Sequence, residues 1–238
     1  MTKAMDDSSR HAECCPSGLL LRKTLMLENL PDLVGHALRG QRAGLDKTAF
    51  QAVDLRAGMA AISVASLAFA DHAPIPARYT ADGAGVSPPL QWTGVPGAAA
   101  SVLLIVEDAD APTPQPLVHA IVVELPAGDG AFQEAALPSR DHGGAGLRIG
   151  RNSYLQANWL PPDPPPGHGV HRYVFQVFAL EAGARFDGEP GREAVLEAIR
   201  DHGLASGCLI GTYERPDASI SVGREEGLPV PMPAAAAG

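Results

Sequence analysis

The sequence predicts a mainly β protein, an antiparallel β-sandwich with peripheral helices. Short apolar and β-branched runs recur with long loops between them, among them Val102-Leu-Leu-Ile-Val106 and Tyr173-Val-Phe-Gln-Val-Phe178. Glycine and proline are plentiful, 26 and 22 in 238 residues, which suits loop-rich β structure better than a helical bundle. One helical pattern stands late in the chain instead of alternating with the strands, which disfavours a βαβ fold.

Residues 1–25 are polar, without periodicity, and are expected to be disordered; Met26 is an alternative start. Residues 26–60 read as a helical arm and connector. Leu30, Leu33, Val34, Ala37 and Leu38 keep helical spacing, with Asn29 as cap, Pro31 in the first turn and Gly40 as the stop. The β domain is placed at 61–216. Ile62, Val64 and Phe69 suggest its first strand, and Tyr79, Leu90 and Trp92 are anchors in a Pro/Gly-punctuated stretch. Strands follow at 102–107, 118–125, 172–180 and 208–213. Residues 129–158 read as loop. Leu160-Pro-Pro-Asp-Pro-Pro-Pro166 reads as a rigid extended wall, with one X–Pro bond expected to be cis. Ala194, Val195, Ala198 and Ile199 define a helix over 191–202 that Gly203 should stop. Residues 217–238 form a tail.

Bulk properties narrow the function. A net charge of −9 argues against nucleic acid and against electrostatic adhesion to anionic membranes. No run of eighteen apolar residues predicts a transmembrane segment. The three cysteines form no framework, and Cys208 reads as a buried inert thiol, so a reducing, cytoplasmic setting is expected. No cofactor is implied, because no glycine-rich nucleotide loop follows a strand.

The chemistry concentrates in Glu107-Asp-Ala-Asp-Ala-Pro112 and Gly167-His-Gly-Val-His-Arg-Tyr173, each at a strand end where loops build pockets. Asp108 and Asp110, two apart, would share a side of an extended strand; the same residues also make turn chemistry before Pro112. His119 opens the next strand, close enough for the loop to return beside Asp108. His171 and Tyr173 share one face of their strand and Arg172 takes the other. No His-x-His or i,i+4 pair organises a metal site. No Gly-x-Ser-x-Gly elbow is present, and Ser87 and Ser153, read as exposed, lack an assigned base.

These motifs, together with Ile75-Pro-Ala-Arg-Tyr-Thr80, Asp82-Gly83, Ser87-Pro-Pro-Leu90, Gly150-Arg-Asn-Ser153 and Gly211-Thr-Tyr-Glu-Arg215, resemble the phosphatidylethanolamine-binding protein family, in its bacterial Raf-kinase-inhibitor-like branch. The resemblance spans about 155 residues, Ile62 to Pro216. It implies a β-sandwich with a small anion pocket and a binding or regulatory role, with a phosphate- or carboxylate-type ligand and a protein partner. By position, Asp108, Asp110, His119, His171 and Tyr173 fall on the pocket motif, Ala111 and Pro112 on its rim, and Trp159 and Pro164 beside it. On this reading His119, Tyr173 and the amides of Gly167–Gly169 donate to the anion. Asp108 orients His119, and Asp110 accepts from a ligand ammonium or hydroxyl. Ala120, where the family favours a large aromatic, should widen the pocket. Asp163 adds negative charge beside it. The arm 26–60 lies outside the resemblance and is read as a homodimer arm or a lid. The alternative from another class is a small hydrolase or lyase with His119 as base and an Asp as orienter.

Overall fold

The computed structural model describes residues 32–53, 60–139 and 146–215. The expected Asn29 cap, the disordered terminus and the C-terminal tail lie outside these residues. The strands are β1 (Ala60–Ala61), β2 (Ser63–Ala65), β3 (Ala73–Pro74), β4 (Leu90–Thr93), β5 (Ser101–Asp108), β6 (Leu117–Pro126), β7 (Gly130–Phe132), β8 (Arg148–Ile149), β9 (His171–Leu180) and β10 (Gly203–Tyr213). The helices are α1 (Asp32–Leu38), α2 (Ala49–Ala52) and α3 (Arg192–His202). A large sheet runs β1-β10-β9-β5-β6-β8, with β3 also on β10, and a small sheet runs β2-β4-β7. Its long pairings are antiparallel; only the two-residue strands β1 and β3 lie parallel to β10.

Both faces of the large sheet are covered, which explains why β5 is a continuous apolar run instead of an alternating one. Val102, Leu104, Val106, Val122, Phe175 and Val177 face the small sheet's Leu90, Trp92 and Phe132. Leu103, Ile105, Ile121, Val123, Phe178 and Leu180 face α3 through Val195, Leu196 and Ile199, with Ala49 of α2 beside them. Close approach demands small residues on β10: a Cβ on Gly207 would stand 1.9 Å from the Ile62 carbonyl oxygen. Gly207→Val should therefore cost about 1–3 kcal/mol through forced displacement of the paired backbone. A urea midpoint unchanged from wild type would contradict this contact.

Several elements differ from the sequence reading. β10 starts at Gly203, well before Cys208, because cross-strand pairing with β9 carries a Gly- and Ser-containing stretch that propensity disfavours. Gly203 ends α3 in extended backbone (φ −68°, ψ 129°) with no left-handed cap. Two short strands, β7 and β8, interrupt the stretch read as loop. Among the described residues every peptide bond is trans, the proline wall included. Cys208 is half-buried, since its position on β10 alternates with the inward residues.

Candidate functional site

A β-bulge creates the site's central feature. Val106 pairs with Ala120 and Glu107 with Val118, so His119 is left without a partner on β5. The bulge breaks the alternation that would send His119 toward α3. Val118 joins the helix-side core, and the His119 ring meets inter-sheet residues, Tyr173 at 5.1 Å edge-on and Trp159 at 6.3 Å between ring centroids. Ala120 packs within the inter-sheet core and does not line the cleft, so the expected widening beside it is corrected.

The cleft is small, about 20 Å³, and opens to solvent. Asp108, His119 and His171 line it together with Ala111, Pro112 and Pro164. Leu117, Tyr154, Leu160, Pro161, Asp163 and Pro165 complete the wall. The sequence reading passed over Leu117 and Tyr154; an apolar residue opening β6 and a tyrosine in a Gly/Asn loop carry no local signal of a cleft. Trp159 and Tyr173 lie behind His119, buried, outside the lining. The amides of 167–169 do not line it either; the His168 amide donates to the Pro165 carbonyl.

The two aspartates part company where β5 ends. Asp108 Oδ2 meets His171 Nδ1 at 2.7 Å and its Oδ1 accepts from the Asp110 amide, so its partner is His171 and not His119. Asp110 is fully buried and turned away from the lining. Its carboxylate accepts from Arg172 Nε (2.7 Å), Arg172 Nη2 (2.6 Å) and the Arg172 amide (2.9 Å), and Arg42 stands at 3.0 Å. Burial pushes the Asp110 carboxyl up, but its bonds from Arg172 and Arg42 outweigh that and hold it below the usual range. Asp163 is likewise neutralised, by Arg215 at 2.6 Å. Arg215 also donates to the Pro164 carbonyl and grips Asp82, propping the proline wall from below.

His119 is fixed by the Leu160 backbone on both sides. The Leu160 amide donates to the His119 carbonyl at 2.9 Å, and His119 Nδ1 stands 2.7 Å from the Leu160 carbonyl oxygen. A carbonyl only accepts, so Nδ1 carries the proton and Nε2 holds a lone pair. Burial drives the ring's pKa down; Asp108 and the Leu160 bond oppose this and His171 adds to it, with a net shift downward. His119 in the free protein is therefore a neutral acceptor, where the sequence reading had it donating. The Tyr173 phenol is held well above its usual range by burial first, then by Asp108 and Asp163, so it stays a donor. His119 Nε2, the Tyr173 hydroxyl and Trp159 Nε1 are buried without a protein partner. Ser87 is buried and its hydroxyl accepts from the Leu137 amide, while the Ser153 hydroxyl accepts from the Val118 amide. Ser87 is therefore no exposed nucleophile, while Ser153 is exposed as expected. Among the described residues no group of three His, Cys, Asp or Glu is arranged to hold a metal ion, and no helix is long and apolar enough to cross a membrane.

The fold is thus a mainly antiparallel sandwich with a histidine-lined cleft at its strand ends. The model of the phosphatidylethanolamine-binding protein family matches residues 65–214, and the chain belongs to that family. A UPF0098 protein of Methanothermobacter thermautotrophicus is 41% identical over 150 residues, 62% of this chain and 95% of that one. A Mycobacterium tuberculosis relative that carries a lipoprotein name, LppC, is 34% identical over 155 residues, 64% of this chain and 72% of its own. The crystal structure of Escherichia coli YbcL, described as a member of the mammalian family, superposes with a TM-score of 0.59 at 27% identity, covering 65% of this chain and 98% of that one.

Proposed function

We propose that the chain is a binding protein whose cleft takes a small ligand with an oxyanion headgroup, of phosphate or carboxylate type. The observation that carries this is the pairing of a buried hydroxyl donor, Tyr173, with the unpartnered Nε2 of His119, 5.1 Å apart between rings, beside a cleft. Buried polar atoms are normally satisfied, and a ligand's oxygens suit both. The phenol donates to an oxyanion. Nε2 accepts the proton of a singly protonated headgroup, or takes up a proton and then donates. Leu117, Leu160, Pro161 and Pro165 supply an apolar wall for whatever the headgroup is attached to. The reading includes a cytoplasmic location, which rests on the absence of a cysteine framework.

Titration calorimetry with inorganic phosphate, phosphoethanolamine and acetate tests the proposal. At least one should bind wild type, and Tyr173→Phe should weaken it by about 0.5–1.5 kcal/mol, the usual worth of one hydrogen bond. Failure of all three to bind, or an unchanged affinity in Tyr173→Phe, would overturn it. Turnover of an ester or phosphoester panel, lost in His119→Ala, would favour the hydrolase reading instead.

A further inference from the structure

The arm over 32–53 precedes the region matched by the family model, yet it meets the back of the cleft at point after point. The Leu38 carbonyl lies 2.8 Å from His168 Nε2. Arg39 donates to the Gly167 carbonyl at 2.6 Å and Arg42 to that of Val170 at 2.7 Å. The amides of Ala43 and Gly44 donate to the carbonyls of Ala111 (3.0 Å) and Ala109 (2.8 Å), in the loop that forms the cleft rim. A Cβ on Gly35 would stand 1.9 Å from the Pro166 carbonyl oxygen, so α1 lies directly on the 166–168 loop.

The hydrogen bonds form one continuous chain. Leu38 O meets His168 Nε2, His168 Nδ1 meets His171 Nε2 at 2.6 Å, and His171 Nδ1 meets Asp108 at 2.7 Å. The carbonyl requires a proton on His168 Nε2, the nitrogen–nitrogen contact requires one, and the carboxylate contact requires a third. Two neutral imidazoles and a carboxylate hold only two. The chain therefore stores one extra proton in a buried place and cancels the charge of Asp108 where an anion would come close. It also uses both nitrogens of His171, which leaves His119 to meet the ligand.

Resting on the reading of the cleft as an oxyanion site, we infer that the arm completes that site from behind. His168 is a positioning residue that acts through His171 on Asp108, and arm docking and oxyanion binding strengthen each other. The reciprocity follows from linkage: if the docked arm shapes the rim that binds the ligand, the bound ligand holds the arm.

The test uses the full chain with inorganic phosphate as probe, and the variants His168→Leu, His168→Gln and Gly35→Ala. Glutamine keeps a carbonyl to accept from His171 and an amide to donate to Leu38; leucine keeps neither. Without phosphate, the nitrogen NMR signals of His171 should shift in His168→Leu and stay near wild type in His168→Gln. Ala43 and Gly44 should exchange their amide protons faster in Gly35→Ala, whose methyl lifts α1 while leaving the histidines intact. With phosphate at roughly a hundred times its Kd, exchange at Ala43 and Gly44 in wild type should slow about tenfold. Phosphate affinity should fall about tenfold in His168→Leu and Gly35→Ala and recover in His168→Gln. Arm exchange indifferent to bound phosphate, or unshifted His171 signals in His168→Leu, would overturn the inference. If wild type does not bind phosphate at all, the binding reading fails, and the His171 signals and phosphate-free exchange still decide whether the arm positions the cleft.

Discussion

Glu107→Ala should destabilise the protein by about 3–5 kcal/mol, the range for stripping one partner from a buried ion pair. Glu107 is fully buried on the helix side of β5. Its Oε1 accepts from Arg192 Nε at 2.7 Å, and its Oε2 accepts from the Ala49 amide at 2.7 Å and Gln176 Nε2 at 2.8 Å. Gln176 in turn accepts from the Phe50 amide at 2.6 Å, and Arg192 donates to the Lys47 carbonyl. One carboxylate thus ties α2, α3 and β9 together. Alanine would leave the guanidinium of Arg192, only 14% exposed, without its buried carboxylate partner, and the Ala49 amide without an acceptor. Against a total stability of roughly 5–15 kcal/mol, that is a large fraction. Urea unfolding gives the number. Glu107→Gln should lose less, because its carbonyl still accepts. The double change Glu107→Leu with Arg192→Met should lose much less than the two single changes added together, since no charge is stranded. A loss below about 1 kcal/mol in Glu107→Ala would show that the pair is not the fastener argued here.

The same carboxylate shows what was legible in the sequence. Leu103 to Val106 announced a buried strand because both faces are covered, and apolar density is a one-dimensional signal. α3 was legible because one face packs on the sheet and the other meets solvent, so its period survives in the chain. The convergence of Asp108, His119 and His171 was foreseeable from their strand-end positions, and the structure brings them to one cleft. What escaped reading depends on things that leave no local trace. The bulge at His119 is a register event between two strands, visible only when both are paired. Asp110 and Asp108 look equivalent two residues apart, but the backbone leaves the strand after Asp108, so one carboxylate turns to a histidine and the other to two arginines. The arm's grip on the cleft runs largely through carbonyls and amides, of Leu38, Ala43 and Gly44, which every residue type possesses. The described part of that arm packs on its own chain.

Binding of sulfate, an anion that brings no proton of its own at neutral pH, should strengthen as pH falls from 8 to 5. In the free protein, burial keeps the His119 pKa below its ordinary value near 6.5, so at pH 7 Nε2 has only a lone pair to offer. A fully deprotonated oxyanion there is repelled unless the ring takes up a proton. Its negative charge raises the ring's pKa in the complex, and between the two values binding draws one proton from solution. The sign follows. Affinity is low and flat above the raised pKa, climbs by at most tenfold per pH unit as pH falls between the two, and is flat again below the free value. A charge-assisted hydrogen bond is worth about 1.5–3 kcal/mol, so the limits should differ by roughly 10- to 150-fold. Tyr173 adds no slope, because its phenol stays protonated throughout. His119→Ala removes the slope that belongs to this ring. Calorimetry in two buffers of different ionisation enthalpy should report uptake approaching one proton per sulfate in wild type and close to none in His119→Ala. The variant should bind at the weak, high-pH level at every pH. Sulfate affinity that stays constant from pH 5 to 8, or an undiminished slope in His119→Ala, would mean that His119 is not the group that meets the anion.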